Sequence, residues 1–520
     1  MSVFAEIPLL DEFGPGFPQW TELGQDTGLD PLGMQRPIEV IYQSLLPGIS
    51  TITLRLRYYS FYPWLLDAYS KSNPSTDLEE FRTFQRKAEA LLALICAHGP
   101  GEVGVAGINW ATRTLQSLGA NPAADVVVDF AAGADLASDE ENYLLNKGGA
   151  FGGIYSSQLR EMGLIRTDDP NLPIPYCTSA ALPLAEAYRE QLGDLADVFL
   201  AAAKKGRVTI EQLDELQIMK PSNILPSSSE QSALATVLLG QNNSPSKSDG
   251  LRRETMTQLL LLAATVGRVP QTNDAKWAWF SAGSGDEPAA EILQLWSLYQ
   301  ASDLFRLAYE GLLSASLRII EAAPFQRMTL PEVLAEVVDA AEVSNDVTLE
   351  EFFVAQTAGQ SLDGVAQLAL QDLLDAEATA DSEDQVRASL SLLAALFQKR
   401  SEYPQDIWNS LLAADHFQSF ATEARFIERL LQNPAQIALQ EILGQRVIKR
   451  HLWVASRKFR NQKAYTFLFE PEDGALRYRK PFTISPSSPR IDQAVQFLKD
   501  ARLLGDDGPT ELGLREIRPQ

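Results

Sequence analysis

"PGISTITLRLRYYSFYPWLLDAY", residues 47–69, sets two arginines, Arg55 and Arg57, among five aromatic rings within ten residues. Read as a strand, the stretch alternates. Ile52, Leu54, Leu56 and Tyr58 fall on one face and Thr51, Thr53, Arg55 and Arg57 on the other, which would align both cations on one surface. Read as a helix it accounts for more residues, because Leu54, Tyr58, Phe61, Leu65 and Ala68 form one stripe and Arg55, Tyr59, Tyr62, Leu66 and Tyr69 the next. Ser50 and Thr51 are N-cap residue types, and Pro63 kinks such a helix without forbidding it. The helix reading is favoured. At about 100° per residue the two arginines then point about 200° apart, so they share no stacking face. The rings become core, with Arg55 capped by a ring or a carboxylate.

Outward from this stretch the helical period continues. Residues 79–99 repeat apolar side chains at Phe81, Phe84, Ala88, Leu91, Leu92 and Ile95, and Gly99 supplies the stop. Residues 289–322 are apolar around a broad face, as in a helix buried within a bundle, and further helical segments carry the pattern to about residue 440. No fixed-period repeat indicates a solenoid. Near the C-terminus "YTFLFEPEDGALRYRKPF" predicts a β-hairpin turning at Asp473-Gly474.

Two segments have winged helix-turn-helix order. A helix at 154–162, a stop at Gly163, a strand at Leu164-Ile165, a second strand and a helix after Thr178 make the first. The second is its echo, with Leu498-Lys499-Asp500 before Leu503-Leu504 paralleling Leu159-Arg160-Glu161 before Leu164-Ile165. The expected fold is mainly α, a multi-domain helical protein with winged helix-turn-helix-like modules and a small C-terminal α+β region. The expected spans are an N-terminal helical domain at 1–195 ending in the first winged module, a helical middle domain at 196–440 and a basic α+β domain at 441–520.

At 520 residues with 45% apolar, 9% aromatic and 22% charged side chains, the chain has a globular composition. The opening "MSVFAEIPLLDEFG" has no basic n-region, and the longest aliphatic run, at 259–267, is too short for a bilayer. A cytoplasmic protein without membrane partners is therefore expected. Two cysteines, Cys96 and Cys177, and three scattered histidines, His98, His416 and His451, offer no disulfide framework and no zinc spacing, and no metal or cofactor is expected. No nucleophile elbow, metalloprotease or acid-acid-lysine nuclease grammar is present, so no catalytic residue is assigned. The glycine-rich "KGGAFGGIYSS" lacks Walker spacing, which makes a tight turn the better reading than a phosphate loop.

Charge is unevenly placed. Between 446 and 490, eleven basic residues against three acids leave +8, so the rest of this −24 chain carries −32. The basic strip, Arg446, Lys449, Arg450, Arg457, Lys458, Arg460, Lys463, Arg477, Arg479 and Lys480, is interleaved with Trp453, Phe459, Tyr465 and Tyr478, a combination able to neutralise phosphates and stack bases. The same strip equally suits contact with an acidic protein surface. On the first winged module Ser156, Ser157, Gln158 and Arg160 are expected to face outward toward DNA, RNA or a protein partner, although Glu161, Asp168 and Asp169 place acid where a DNA-reading wing wants cations.

Pro47, Gly48, Ser50, Thr51, Arg57, Tyr58, Tyr59, Pro63 and Trp64 resemble an early motif of a group of uncharacterised bacterial proteins, and residues 451–474 do so more loosely. That group is encoded beside helicases and phospholipase D-like nucleases, in gene clusters associated with defence against phage and plasmid DNA. The resemblance implies a non-catalytic subunit of a defence or DNA-processing assembly that docks other protein subunits and nucleic acid. The alternatives are a nuclease-like enzyme with an unrecognised site and a DNA-binding regulator.

Overall fold

A computed structural model describes residues 29–72, 75–169, 171–241, 247–283, 290–344, 346–413 and 418–517. The opening segment, His416 and parts of the 240–250 and 281–288 loops lie outside them. The chain is mainly helical, and the sheets among the described residues are three of two strands and one of three. Two compact units form from non-adjacent stretches. One combines Ser44–Ala275 with the stretch from Arg490 onward, and the other combines Lys276–Pro489 with the stretch ending at Gln43, so the units cut across the linear spans 1–195, 196–440 and 441–520.

In the Ser44–Ala275 unit the decisive stretch is helical, but the helix runs Tyr58–Ser72 and so starts several residues later than Ser50 and Thr51 suggest. Ser50, bonded to Thr53, turns the chain instead of capping a helix. The Ser50 N–H donates to Thr53 Oγ1 at 2.8 Å, and Thr53 Oγ1 donates back to the Ser50 carbonyl at 2.9 Å, the local side-chain bonding that competes with helix. Gly48 has φ of 74°, and a Cβ there would lie 2.3 Å from Met162 Cγ, so both conformation and space demand glycine. From Tyr58 to Leu66 every side chain is buried, Pro63 included.

The two arginines precede this helix and diverge into separate buried ion pairs. Arg55 donates to Glu102 at 2.6 Å and to both Asp500 oxygens at 3.1 and 3.2 Å. Arg57 grips Glu230 with two bonds, 3.0 and 2.9 Å, donates to the Lys220 carbonyl at 2.7 Å, and lies 5.1 Å from the Tyr188 ring centre. The next helix, Leu78–Ala97, is capped by Asp77, which accepts from the Glu79 and Glu80 N–H groups, and the chain turns at Gly99 with φ of 70°.

The two winged-like segments share a bonding pattern. Helix Ser156–Glu161 is followed by strands Ile165–Arg166 and Tyr176–Cys177, and helix Ile491–Asp500 by strands Leu504–Gly505 and Gly508–Pro509. Leu164 N–H bonds the Leu159 carbonyl at 2.8 Å, and Leu503 N–H bonds the Leu498 carbonyl at 2.9 Å. Thr178 Oγ1 donates to the Gly163 carbonyl and Thr510 Oγ1 to the Arg502 carbonyl. Arg502 takes the left-handed conformation that Gly163 takes in the first copy. Ahead of the first helix a π-helical turn, Phe151–Tyr155, adds a residue to the turn and rotates the helix beyond it.

The other unit is built on Glu291–Ala322, a 32-residue helix buried almost all round, packed against Ser382–Lys399, which in turn packs against Leu362–Thr379. Such a helix cannot leave its polar residues to water, so they bond one another. Asp303 accepts from Arg306 at 2.8 Å, from Lys276 at 3.3 Å and from the Ser487 N–H at 3.0 Å, while Arg306 also reaches Glu310 at 2.6 Å. The hairpin forms as expected. Strands Phe469–Glu472 and Ala475–Tyr478 turn through Asp473 and Gly474, both at positive φ, and Arg327–Met328 adds a third strand.

Glu230→Ala leaves Arg57 buried without its counter-charge and is expected to lower unfolding stability by about 3 to 5 kcal/mol. The double change Arg57→Met, Glu230→Leu should recover most of that loss. Denaturant unfolding of the single and double variants checks this, and equal loss in both would show that the pair is not coupled.

Candidate nucleic-acid interface

Helix Lys449–Gln462, "KRHLWVASRKFRNQ", continues from the π-helical segment Leu443–Ile448. It contains five cations and no acid. Its inner face is fixed by specific bonds. Arg450 is buried and donates to Glu423 at 2.5 Å, Arg446 lies 3.9 Å over the Phe426 ring, and Lys458 is half-buried against the Asp30 carbonyl at 3.4 Å. His451 is buried with Nδ1 3.1 Å from the Pro31 carbonyl, while its Nε2 accepts the Leu468 N–H at 3.0 Å. This pairing requires the neutral ring with its proton on Nδ1. Burial pushes the His451 pKa down to about 4.

The outer face differs in kind. Lys449, Trp453, Arg457 and Arg460 fall within about 80° of arc, and all four are exposed. Arg457 lies 5.3 Å from the Trp453 ring centre. Phe459 extends the exposed face, and its ring meets Tyr465 edge-on at 6.4 Å just past the helix end, where Lys463 takes a left-handed conformation. Trp453, Phe459 and Tyr465 are 46%, 48% and 53% exposed, so each presents about half of a large ring to solvent. Among the described residues, Lys449, Arg457, Arg460 and Lys463 make no ion pair or hydrogen bond through their side chains.

The basic strip read from sequence therefore divides. On the hairpin, Arg477 bonds Glu472 at 2.9 and 3.1 Å, Arg479 pairs with Glu470, and Lys480 is half-buried. These arginines are neutralised within their own sheet, and Arg450 is neutralised inside the core. Applying the 3.6-residue period to 449–462 sorts free from paired cations, because Arg450, Val454, Lys458, His451 and Ala455 occupy the opposite arc.

On the first winged module Ser157 is exposed, but Ser156 and Gln158 are buried and Arg160 is half-buried, 3.5 Å from Thr167. The outward set expected there is thus reduced. The π-helical turn before Ser156 shifts the phase that an unbroken helix from residue 154 would have. Asp168 pairs with Arg166 at the surface.

The glycine turn holds an anion from within the chain. Glu89 accepts the Ala150 and Phe151 N–H groups at 2.7 Å each, Tyr143 Oη at 2.5 Å, Gln85 Nε2 at 2.6 Å and Tyr62 Oη at 3.1 Å. A Cβ on Gly149 would lie 2.3 Å from Glu89 Oε2. Burial still raises this carboxyl's pKa above its ordinary value against those bonds.

Among the described residues no three His, Cys, Asp or Glu side chains gather as a metal site. Burial raises both thiols, Cys177 to about 12 and Cys96 further, which leaves neither a ready nucleophile. No described helix is long and apolar enough to cross a membrane. No protein-family model, curated protein or solved structure matches the chain.

Because the folded pKa of His451 lies below the free value of about 6.5, its neutral bonding is fully available above that value and is lost as pH falls toward 4. Stability should decline across that window by up to about 3 kcal/mol relative to His451→Gln, which does not titrate. Parallel unfolding curves of the two proteins from neutral pH to pH 4 check this, and identical slopes would refute the assignment.

Proposed function

We propose that this protein is a non-catalytic subunit of a bacterial defence or DNA-processing assembly and that it holds an anionic partner on the outer face of helix Lys449–Gln462. One observation carries the reading: four cations without a counter-charge stand beside three half-exposed rings, on a chain whose net charge is −24. An acidic protein has abundant carboxylates with which to neutralise its own cations, as the hairpin does. Cations left free on an acid-free helix attract anions at short range even though the whole molecule repels them at long range. The assembly context rests on the resemblance around Pro47–Trp64.

The test uses polyanion binding in a salt series. Arg457→Glu with Arg460→Glu is expected to weaken binding to heparin or nucleic acid more than tenfold at low salt and to lower the salt slope by about one per lost contact. The fold should be unaffected, since both side chains are exposed and unbonded. Affinity and slope equal to those of the unaltered chain would remove this face from the proposal.

A further inference from the structure

We infer that the ligand of this face is single-stranded nucleic acid, bound by stacking of bases on Trp453 and on the Phe459–Tyr465 corner while Lys449, Arg457, Arg460 and Lys463 neutralise phosphates. The inference rests on the anion-docking reading above and names its ligand class.

Charge alone would serve any polyanion, but the rings narrow the choice. A duplex keeps its base faces stacked inside and offers protein only groove edges and phosphates, which are met by polar side chains. Half-exposed rings on the same face as free cations match a ligand that presents flat apolar faces and negative charges in alternation along its length, which is the surface of an unpaired strand. An acidic protein segment supplies charge without that alternation.

Geometry agrees. The 14-residue helix is about 20 Å long, room for a short run of nucleotides. Trp453 lies between Lys449 and Arg457 one turn to either side, and Arg457 sits at cation–π distance from the ring, which helps to hold the indole in place. Phe459 and Tyr465 brace one another edge-on, and Tyr465 also meets Phe467 at 5.3 Å, so this second platform is preset. Inside, His451 and Arg450 fix the helix from which all these side chains project.

The experiment measures fluorescence anisotropy of the full chain with labelled oligothymidylate, oligouridylate and a duplex of equal phosphate number, with polyglutamate as the acidic-polypeptide arm. The expected result is single-strand affinity at least about tenfold above the duplex. Trp453→Ala should cost a factor of about 5 to 100 with an unchanged salt slope, and Trp453→Phe should restore much of it. Arg457→Glu should lower the slope instead. A difference between the two oligonucleotides assigns DNA or RNA as the source within the same inference. Equal affinity for single strand and duplex with Trp453→Ala silent would overturn the inference and leave the anion-docking reading standing, as would binding of polyglutamate alone. Absence of salt-dependent binding to every probe would overturn both.

Discussion

The carboxylate of Asp500 holds the loop that launches the first unit's aromatic core. One of its oxygens accepts the Leu56 N–H at 2.9 Å while the pair chelates Arg55. Burial raises its pKa, and Arg55 works against that rise. At the other end of the same loop the Gly48 N–H donates to Glu161 at 2.7 Å. Glu161 and Asp500 hold equivalent places in the two winged-like segments, each three residues before the leucine that opens its hairpin. The two copies therefore clamp residues 48 and 56 with the same group. Beside the Gly48 clamp, Pro47 and Ile49 give their carbonyls to Arg252 and Arg490. Side chains distant in sequence thus satisfy much of this loop's backbone, which is how an irregular segment survives burial.

That arrangement explains what the winged modules do here. A DNA-reading wing needs its recognition helix in water. Here the phase change after the π-helical turn puts Gln158 inside, and the acid at the helix end is committed to backbone N–H groups of the clamped loop. The order of elements is legible from Gly163, the paired leucines and Thr178, but order alone does not say which face of a short helix is buried. Glu161, Asp168 and Asp169 are the informative residues, because their charge already argues against a phosphate contact.

Legibility follows the range of the interactions involved. The hairpin at Asp473-Gly474, the capped helix ending before Gly99 and the long buried helix after residue 290 depend on neighbours in sequence, so period and turn chemistry reveal them. The start of the helix at Tyr58 escapes a reading by residue type because Ser50 and Thr53 bond each other, a competition that residue type leaves undecided. The partners of Arg55 and Arg57 are beyond reach for a stronger reason. Asp500 and Glu230 lie far from them along the chain, and among so many carboxylates no pattern marks the two that matter. Strand Arg327–Met328 is hidden likewise, since two residues carry no period.

The candidate face is a case between these extremes. Composition locates the excess of cations but assigns it to the whole of 446–490, whereas pairing depends on where the acids lie. Glu470, Glu472 and Asp473 sit on the hairpin beside Arg477 and Arg479, and cross-strand neighbours neutralise one another at little entropic cost. The helix has no acid of its own, and the inward carboxylate Glu423 comes from another helix and reaches Arg450 and Arg446. The remainder is set by helical phase. Half of the helix is tied down by a buried guanidinium, a neutral histidine and small apolar side chains, and the other half keeps its charge and its rings in water. Half-exposure of Trp453, Phe459 and Tyr465 forgoes roughly half of the about 1.5 to 3 kcal/mol that full burial of a large apolar side chain contributes. On the proposed reading, a ligand that covers the rings would recover that contribution.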